Sequence, residues 1–270
     1  MRKTILITGS TDGIGLETAK TLASQGHHVL LHGRSKRKLD QAEKALSEIS
    51  DSARVETYLA DLSSMAAVVA LAEAVIEKHD KLDVLINNAG VYKIDDPITR
   101  DGLDARFAVN TIAPALLTQK LLPLLGADAR VISLSSAAQA PVNPQALLGK
   151  IKMQDTSDAY AQSKLALTMW SQAMALAMKD SGPVFISVNP GSLLATNMVK
   201  EGFGIPGSDI QIGDSILLRL ALNEEFASKS GQYFDNDMGA FNRPHVDALD
   251  SQKCEQVVKA IESVLADVAR

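Results

Sequence analysis

The chain predicts an α/β fold in which a doubly wound parallel sheet of about seven strands carries helices on both faces. Three observations lead to it. Short runs rich in Val, Ile and Leu alternate with longer helical patterns from the first residues onward. The short runs are largely apolar throughout instead of alternating, which marks strands covered on both faces by crossover helices. A chain of 270 residues, 46% of them hydrophobic, suits one large core better than two small ones.

Taken in order, residues 3–8, 28–33, 55–59, 84–87, 131–134 and 184–188 read as strands bounded by turn residues. Residues 14–25, 36–49, 65–78, 103–125 and 159–179 read as helices, mixing apolar residues at helical spacing with Ala, Lys, Glu and Gln. A last helix, 251–268, repeats Val257, Val258, Ile261, Val264, Leu265 and Val268 at that spacing and reads as structural. Right-handed crossovers wind these units into one sheet. There is no internal repeat, low-complexity tract or linker, so residues 1–270 are expected to form a single domain. Two irregular stretches follow strands and therefore emerge at the carboxyl edge of the sheet, where such folds bind ligands. Residues 137–157 carry Pro141, Pro144 and Gly149; residues 193–213 carry Gly202, Gly204, Pro206, Gly207 and Gly213. Both are assigned as substrate loops, with ordinary surface loops as the alternative.

A net charge of −5 leaves no excess cation to neutralise phosphates, which argues against a nucleic-acid partner. The single cysteine, Cys254, forms no internal disulfide and fits a reducing compartment. Between Arg2-Lys3 and Gly9 there is no room for a signal-peptide apolar region, and the apolar run 65–72 is far short of a membrane span. A cytoplasmic protein without a membrane span is expected.

Thr8-Gly9-Ser10-Thr11-Asp12-Gly13-Ile14-Gly15 joins the first strand to the first helix. Glycines there allow a tight turn and let the backbone approach a pyrophosphate, whose charge meets the helix N-terminus. The sheet is thus of the Rossmann type, although three residues separate the first two glycines where the commoner motif has one. An NAD site carries an acidic residue at the end of the second strand. This chain has Arg34, whose guanidinium suits a 2′-phosphate, so NADP (as NADPH) is expected over NAD. Lys36, Arg37 and Lys38 read as the solvated start of a helix. Asp61 and Leu62, after the third strand, are placed to meet an adenine or to cap the next helix. Asn87-Asn88-Ala89-Gly90 ends the fourth strand, where small residues and amides permit close approach of a cofactor while bridging strands; loop punctuation is the alternative.

Tyr160 and Lys164 lie at i and i+4, on one face of a helix. Unperturbed tyrosine titrates near ~10. An ammonium roughly 4 Å away, at an effective dielectric of about 20, favours the phenolate by up to about 4 kcal/mol. That brings the phenol into the range of a general acid/base at neutral pH. His27, His28, His32, His79 and His245 show no ligand-like cluster with carboxylates or thiols, so no metal is expected; His27 and His28, which precede a strand, read as surface residues. Met169, Trp170, Met174 and Met178 read as packing.

Together these segments resemble the short-chain dehydrogenase/reductase family. The matches are residues 8–15, Asp61-Leu62, residues 87–90, Asn110, Ser135-Ser136, Tyr160 with Lys164, and Asn189-Pro190-Gly191 with Thr196, in the family's order. Residues 99–110, 160–165 and 231–234 look like its retinol-dehydrogenase-like branch. The resemblance implies that Tyr160 exchanges a proton with the substrate oxygen and that Ser136, rather than Ser135, donates a hydrogen bond to it. It implies that Lys164 lowers the phenol's pKa and bonds the nicotinamide ribose, that Asn110 holds a water leading to Lys164, and that Pro190, Gly191 and Thr196 line the nicotinamide pocket. Hydride transfer leaves negative charge on an oxygen, and these side chains would stabilise and protonate it.

The expected activity is an NADP(H)-dependent oxidoreductase for a small-to-medium, mostly apolar alcohol, aldehyde or ketone. The apolar guess comes from Val142, Leu147, Leu148, Ile151 and Met153 in one loop and Leu193, Leu194, Met198, Val199, Phe203 and Ile205 in the other. Residues 141–156 are expected to bulge outward as a hood over the substrate. Two alternatives are a non-catalytic nucleotide-binding sensor or scaffold, which usually lacks the tyrosine or the lysine, and a same-fold epimerase or dehydratase. Relatives commonly associate through the helices matching 103–125 and 159–179, so a homodimer or homotetramer is plausible.

Overall fold

Thr4–Ile7 (β1), His28–Gly33 (β2), Arg54–Leu59 (β3), Val84–Asn87 (β4), Arg130–Leu134 (β5), Val184–Asn189 (β6), Gln232–Asp235 (β7) and Ala240–Asn242 (β8) form one sheet in the computed structural model, which describes residues 1–49, 54–179 and 181–268. The order is β3-β2-β1-β4-β5-β6-β7-β8, with seven parallel strands and an antiparallel β8 at one edge. Ile5, Leu6, Ile7, Val29, Leu30, Leu31, Val84, Leu85 and Ile86 have no exposed surface. Successive side chains point to opposite faces, so Leu6, Leu30 and Leu85 join one core layer while Ile5, Ile7 and Ile86 join the other. That double coverage is why the strands read as unbroken apolar runs.

The helices are Gly13–Ser24 (α1), Lys36–Ser47 (α2), Met65–Lys78 (α3), the single turn Ala105–Phe107 (α4), Ala113–Leu121 (α5), Pro144–Leu147 (α6), Thr156–Ala177 (α7), Asn197–Phe203 (α8), Gln211–Leu222 (α9) and Ser251–Val268 (α10). α1, α2 and α9 cover one face of the sheet; α3, α5, α7 and α10 build the other layer. No helix among the described residues is long and apolar enough to cross a membrane.

Three expectations change. The helix expected over 103–125 is broken into α4, a π-helical segment Ala108–Ile112, α5 and a final 3₁₀ turn. Pro114 has no N–H to give the Asn110 carbonyl, and Ala113 N bonds Ala108 O instead, widening the turn. The stretch 141–156, expected to bulge outward, begins by packing on the core. Asn143 caps α6 by accepting from Gln145 N at 3.0 Å, and Ala146 and Leu147 are fully buried against the core. Finally, His27 and His28 are not surface residues. His27 is buried, with Nδ1 accepting from Lys3 N at 3.1 Å, while His28 is half-buried and meets His79 and Glu56 in a cluster. Parallel pairing of β2 with β3 brings His28 level with the start of β3, a juxtaposition that sequence distance conceals.

Candidate active site

Strand order reverses between β1 and β4, and the loops leaving their carboxyl ends meet in the crevice that this reversal opens. Asn88 ties the two loops together. Its Nδ2 donates to the carbonyls of Thr8 at 2.8 Å and Gly9 at 3.0 Å, while Thr8 Oγ1 accepts from Asn88 N and Ala89 N at 3.0 Å each. The fit leaves no space: a Cβ on Gly15 would lie 2.4 Å from Asn88 Nδ2, and one on Gly9 would lie 2.9 Å from Ala89 Cα. Gly9 and Gly13 also take φ of 65° and 57°, where side chains are strained.

Beneath this turn sits His32, to which the sequence assigned no role. Gly9 N donates to its Nδ1 at 3.1 Å, so the ring proton lies on Nε2, 3.1 Å from the Ala60 carbonyl. Burial pushes the imidazole down to about 4 and keeps it a neutral acceptor. Ser10 turns inward: its N–H donates to His32 O at 2.9 Å and its hydroxyl accepts from His32 N at 2.9 Å. Its side chain is fully buried and braces the turn, presenting nothing to the crevice.

Asp12 caps α1, accepting from Gly13 N at 2.8 Å, from Lys38 Nζ at 3.0 Å and from Asn197 Nδ2 at 2.6 Å. Burial alone would raise this carboxyl, but Lys38, the Gly13 N–H and Asn197 together hold it below its ordinary value. Lys38 is therefore not simply solvated as expected; Lys36 and Arg37 do stay on their own helix, paired with Asp40 and Gln41. Arg34 stands exposed just past β2, and Thr11 packs over the bare Gly33 beside it. Asp61 is exposed and accepts from Ser63 N at 3.0 Å and Ser63 Oγ at 2.8 Å, whereas the cap of α3 is Ser64. Leu62 is buried in the core. Ile14 lies against Gly213 of α9.

Asp155 caps α7 by accepting from Asp158 N at 2.7 Å. One turn further on, Tyr160 and Lys164 share a face, with Nζ 5.6 Å from the Tyr160 ring centroid. The amine is buried and donates to Leu134 O at 2.7 Å; burial pushes it down to about 8. Tyr160 moves the opposite way from the sequence expectation. Burial raises its phenol above the ordinary value, and a hydrogen bond with Ser136 draws it partly back. The ammonium is directed to the end of β5 and over the ring, so dehydration outweighs its field at the phenol.

Ser135 and Ser136 face opposite ways, as consecutive residues leaving a strand do. Ser135 Oγ is buried against Thr168 Oγ1 at 2.7 Å and Lys164 O at 3.1 Å, while half-buried Ser136 reaches Tyr160 and accepts from Ala138 N at 3.1 Å. Asn110, fully buried in the π-helical turn, grips Val91: Oδ1 accepts from Val91 N at 2.8 Å and Nδ2 donates to Val91 O at 3.0 Å. Nδ2 also donates to Ser163 Oγ at 2.9 Å, which in turn bonds Tyr160 O at 2.7 Å. A Cβ on Gly90 would lie 3.4 Å from both Asn110 Oδ1 and Lys164 Nζ, so the main chain passes close to both.

Across the crevice, Gly191 takes φ 126° beyond β6, Pro190 O accepts from Asn236 Nδ2 at 2.9 Å, and Thr196 caps α8. The Thr196 methyl lies 3.4 Å from where a Gly13 Cβ would be, so α8 starts against the glycine turn. Tyr92, which sequence reading missed, lies edge-on to Tyr160 at 5.2 Å and stacks on Phe203 of α8 at 5.3 Å. An aromatic residue two places beyond Gly90 was the only signal. The apolar lining also changes. Leu147 belongs to the core and Val142, Leu148 and Met153 pack against it, whereas Leu193, Phe203 and Ile205 stand exposed on the second loop.

Residues 3–203 match the family described as short chain dehydrogenase. Retinol dehydrogenase 13 of Mus musculus is 32% identical over 251 residues, covering 86% of this chain and 75% of that protein. Polyprenol dehydrogenase of Homo sapiens is 36% identical over 214 residues, covering 73% of this chain and 62% of its own. A short chain dehydrogenase of Escherichia coli, solved in complex with NADPH, superposes with a TM-score of 0.70 at 27% identity, over 87% of this chain and 96% of that one. Family match, strand order and the crevice at the reversal agree: the chain belongs to the short-chain dehydrogenase family of oxidoreductases, on its retinol-dehydrogenase-like branch.

Proposed function

We propose that the protein is an NADP(H)-dependent oxidoreductase of mostly apolar alcohols, aldehydes or ketones, with Tyr160 as the general acid/base. The observation that carries this reading is the convergence of Tyr160, Ser136 and the buried amine of Lys164 beside the bare Gly90. The glycine turn fits a dinucleotide, because bare α-carbons at positions 9, 13 and 15 bring main chain and the N-terminus of α1 to the crevice. Gly9, Thr11, Asp12, Gly13, Ile14, Gly15, Asn88, Ala89 and Gly90 would form that face, with Pro190, Gly191 and Thr196 opposite. Arg34 and Lys38 supply cations for a 2′-phosphate, and the NADPH complex of the Escherichia coli enzyme supports that choice.

NADPH, when bound, supplies the hydride. Ser136 holds the substrate oxygen while Tyr160 gives it a proton, and Lys164 carries the positive charge that offsets the developing anion. Asn110 keeps Val91 and Ser163 fixed, setting the height of Tyr160 above Gly90. Tyr92 and Phe203 wall the entrance with ring faces, which suits apolar substrates; the names of the retinol and polyprenol dehydrogenases point the same way.

The test is turnover of NADPH by the pure protein across apolar aldehydes and ketones, and of NADP with the matching alcohols. Tyr160→Phe should cut kcat by about 10²–10⁴-fold while NADPH still binds. Unchanged turnover in that variant sinks the mechanism.

A further inference from the structure

At the amino edge of the sheet, remote from the crevice, three side chains from three elements converge. His28 opens β2, Glu56 lies on the edge strand β3, and His79 ends α3. His28 Nε2 is 3.0 Å from Glu56 Oε1, and His79 Nε2 is 3.3 Å from Glu56 Oε2. All three ligand atoms lie within 4.8 Å of one another. We propose that His28, Glu56 and His79 form a zinc site that clamps β2, β3 and α3 together.

The geometry fits the ion. Two ligands about 2.05 Å from a tetrahedral Zn²⁺ sit about 3.3 Å apart, so the separations already present need only small adjustment. Both imidazoles aim the same nitrogen at the same carboxylate, and neither side chain is more than 13% exposed. Glu56 has its own outer partner, since Tyr58 Oη donates to Oε2 at 3.0 Å, the kind of support that orients a ligating carboxylate. Tyr58 Oη also lies 3.1 Å from His79 Nε2, a contact that an arriving ion would displace. The donor set narrows the metal to the borderline ions that imidazole binds, of which zinc is the redox-inert one. Two imidazoles and one carboxylate suit Zn²⁺ and offer too few oxygens for Ca²⁺ or Mg²⁺. The site stands five residues before the carboxyl end of β2, roughly 16 Å from the glycine turn, so its occupancy should govern stability and leave the chemistry alone.

The experiment titrates ZnCl₂ by calorimetry into untagged, full-length protein stripped with a chelator, with melting temperature read in parallel. The expected result is one zinc per chain, an upward shift in Tm, and at least about tenfold weaker binding in both Glu56→Gln and His79→Ala, with His245→Ala unchanged. Glu56→Gln preserves shape and keeps an acceptor for Tyr58, so it decides the matter if His79→Ala does not fold. Absence of saturable zinc binding, or equal binding in wild type and Glu56→Gln, overturns the site.

Discussion

Arg34 and Lys38, both proposed to meet the cofactor's 2′-phosphate, differ in a way that only their surroundings reveal. Lys38 is partly spent on Asp12 at 3.0 Å, whereas Arg34 projects freely into solvent beyond β2. An arriving 2′-phosphate would therefore meet the guanidinium first. Arg34→Asp should weaken NADPH binding by tenfold or more, of order the loss of a charge-assisted pair, and weaken NADH little. Fluorescence titration with the two cofactors checks this, and equal losses would remove Arg34 from the role. Tyr160 and Lys164 teach the same lesson about context. Their spacing was legible in the sequence, but the direction of the phenol's shift was not, because it depends on burial and on where Leu134 O draws the amine.

Among the elements, the segment between β6 and α9 behaves as a built structure instead of a slack loop. Leu194 bridges Ser208, with Ala195 N donating to Ser208 O at 2.8 Å and Ser208 N to Leu193 O at 2.7 Å, so the base of the excursion is closed. Leu193 itself is held at φ 53°, a strained conformation for a branched residue that the closed base enforces. α8 rides on this base, with Thr196 and Asn197 against the glycine turn and Phe203 against Tyr92. One short helix thus touches both the glycine turn and Tyr92. Phe203 is 52% exposed, so removing its ring costs the fold little. Phe203→Ala should raise KM severalfold for apolar substrates while sparing NADPH affinity and Tm. A fall in Tm of many degrees, or an unchanged KM, would show that the ring serves packing alone. The broken helix ahead of Asn110 has a comparable logic, since Pro114 forces the wide turn that carries the amide to Val91.

At the scale of the whole molecule, burial of neutral histidines ties stability to pH. The pKa values of His27, His28 and His32 are all lowered by burial, His32 from 6.5 to about 4. Between those values the unfolded chain binds more protons than the folded one, so stability rises with pH through that window. As pH falls from about 6.5 toward 4 stability should decline, by roughly 3 kcal/mol from His32 alone. Urea melts between pH 7.5 and 5 measure the slope, and His32→Gln should flatten it. Unchanged midpoints across that range would contradict a buried neutral imidazole beneath Gly9.

The alternation of strands and helices through β6, the glycine turn, Asn88 and the Tyr160–Lys164 spacing were determined by sequence alone, because apolar periodicity and turn chemistry act between near neighbours. Only the tertiary structure decided that Ser136 and not Ser135 reaches Tyr160, that His32 supports Gly9, and that Lys38 is drawn to Asp12. It also decided that Leu147 is core and that His28, Glu56 and His79 meet. Each of those facts joins residues distant along the chain, and strand register and helix packing, not local propensity, set such distances.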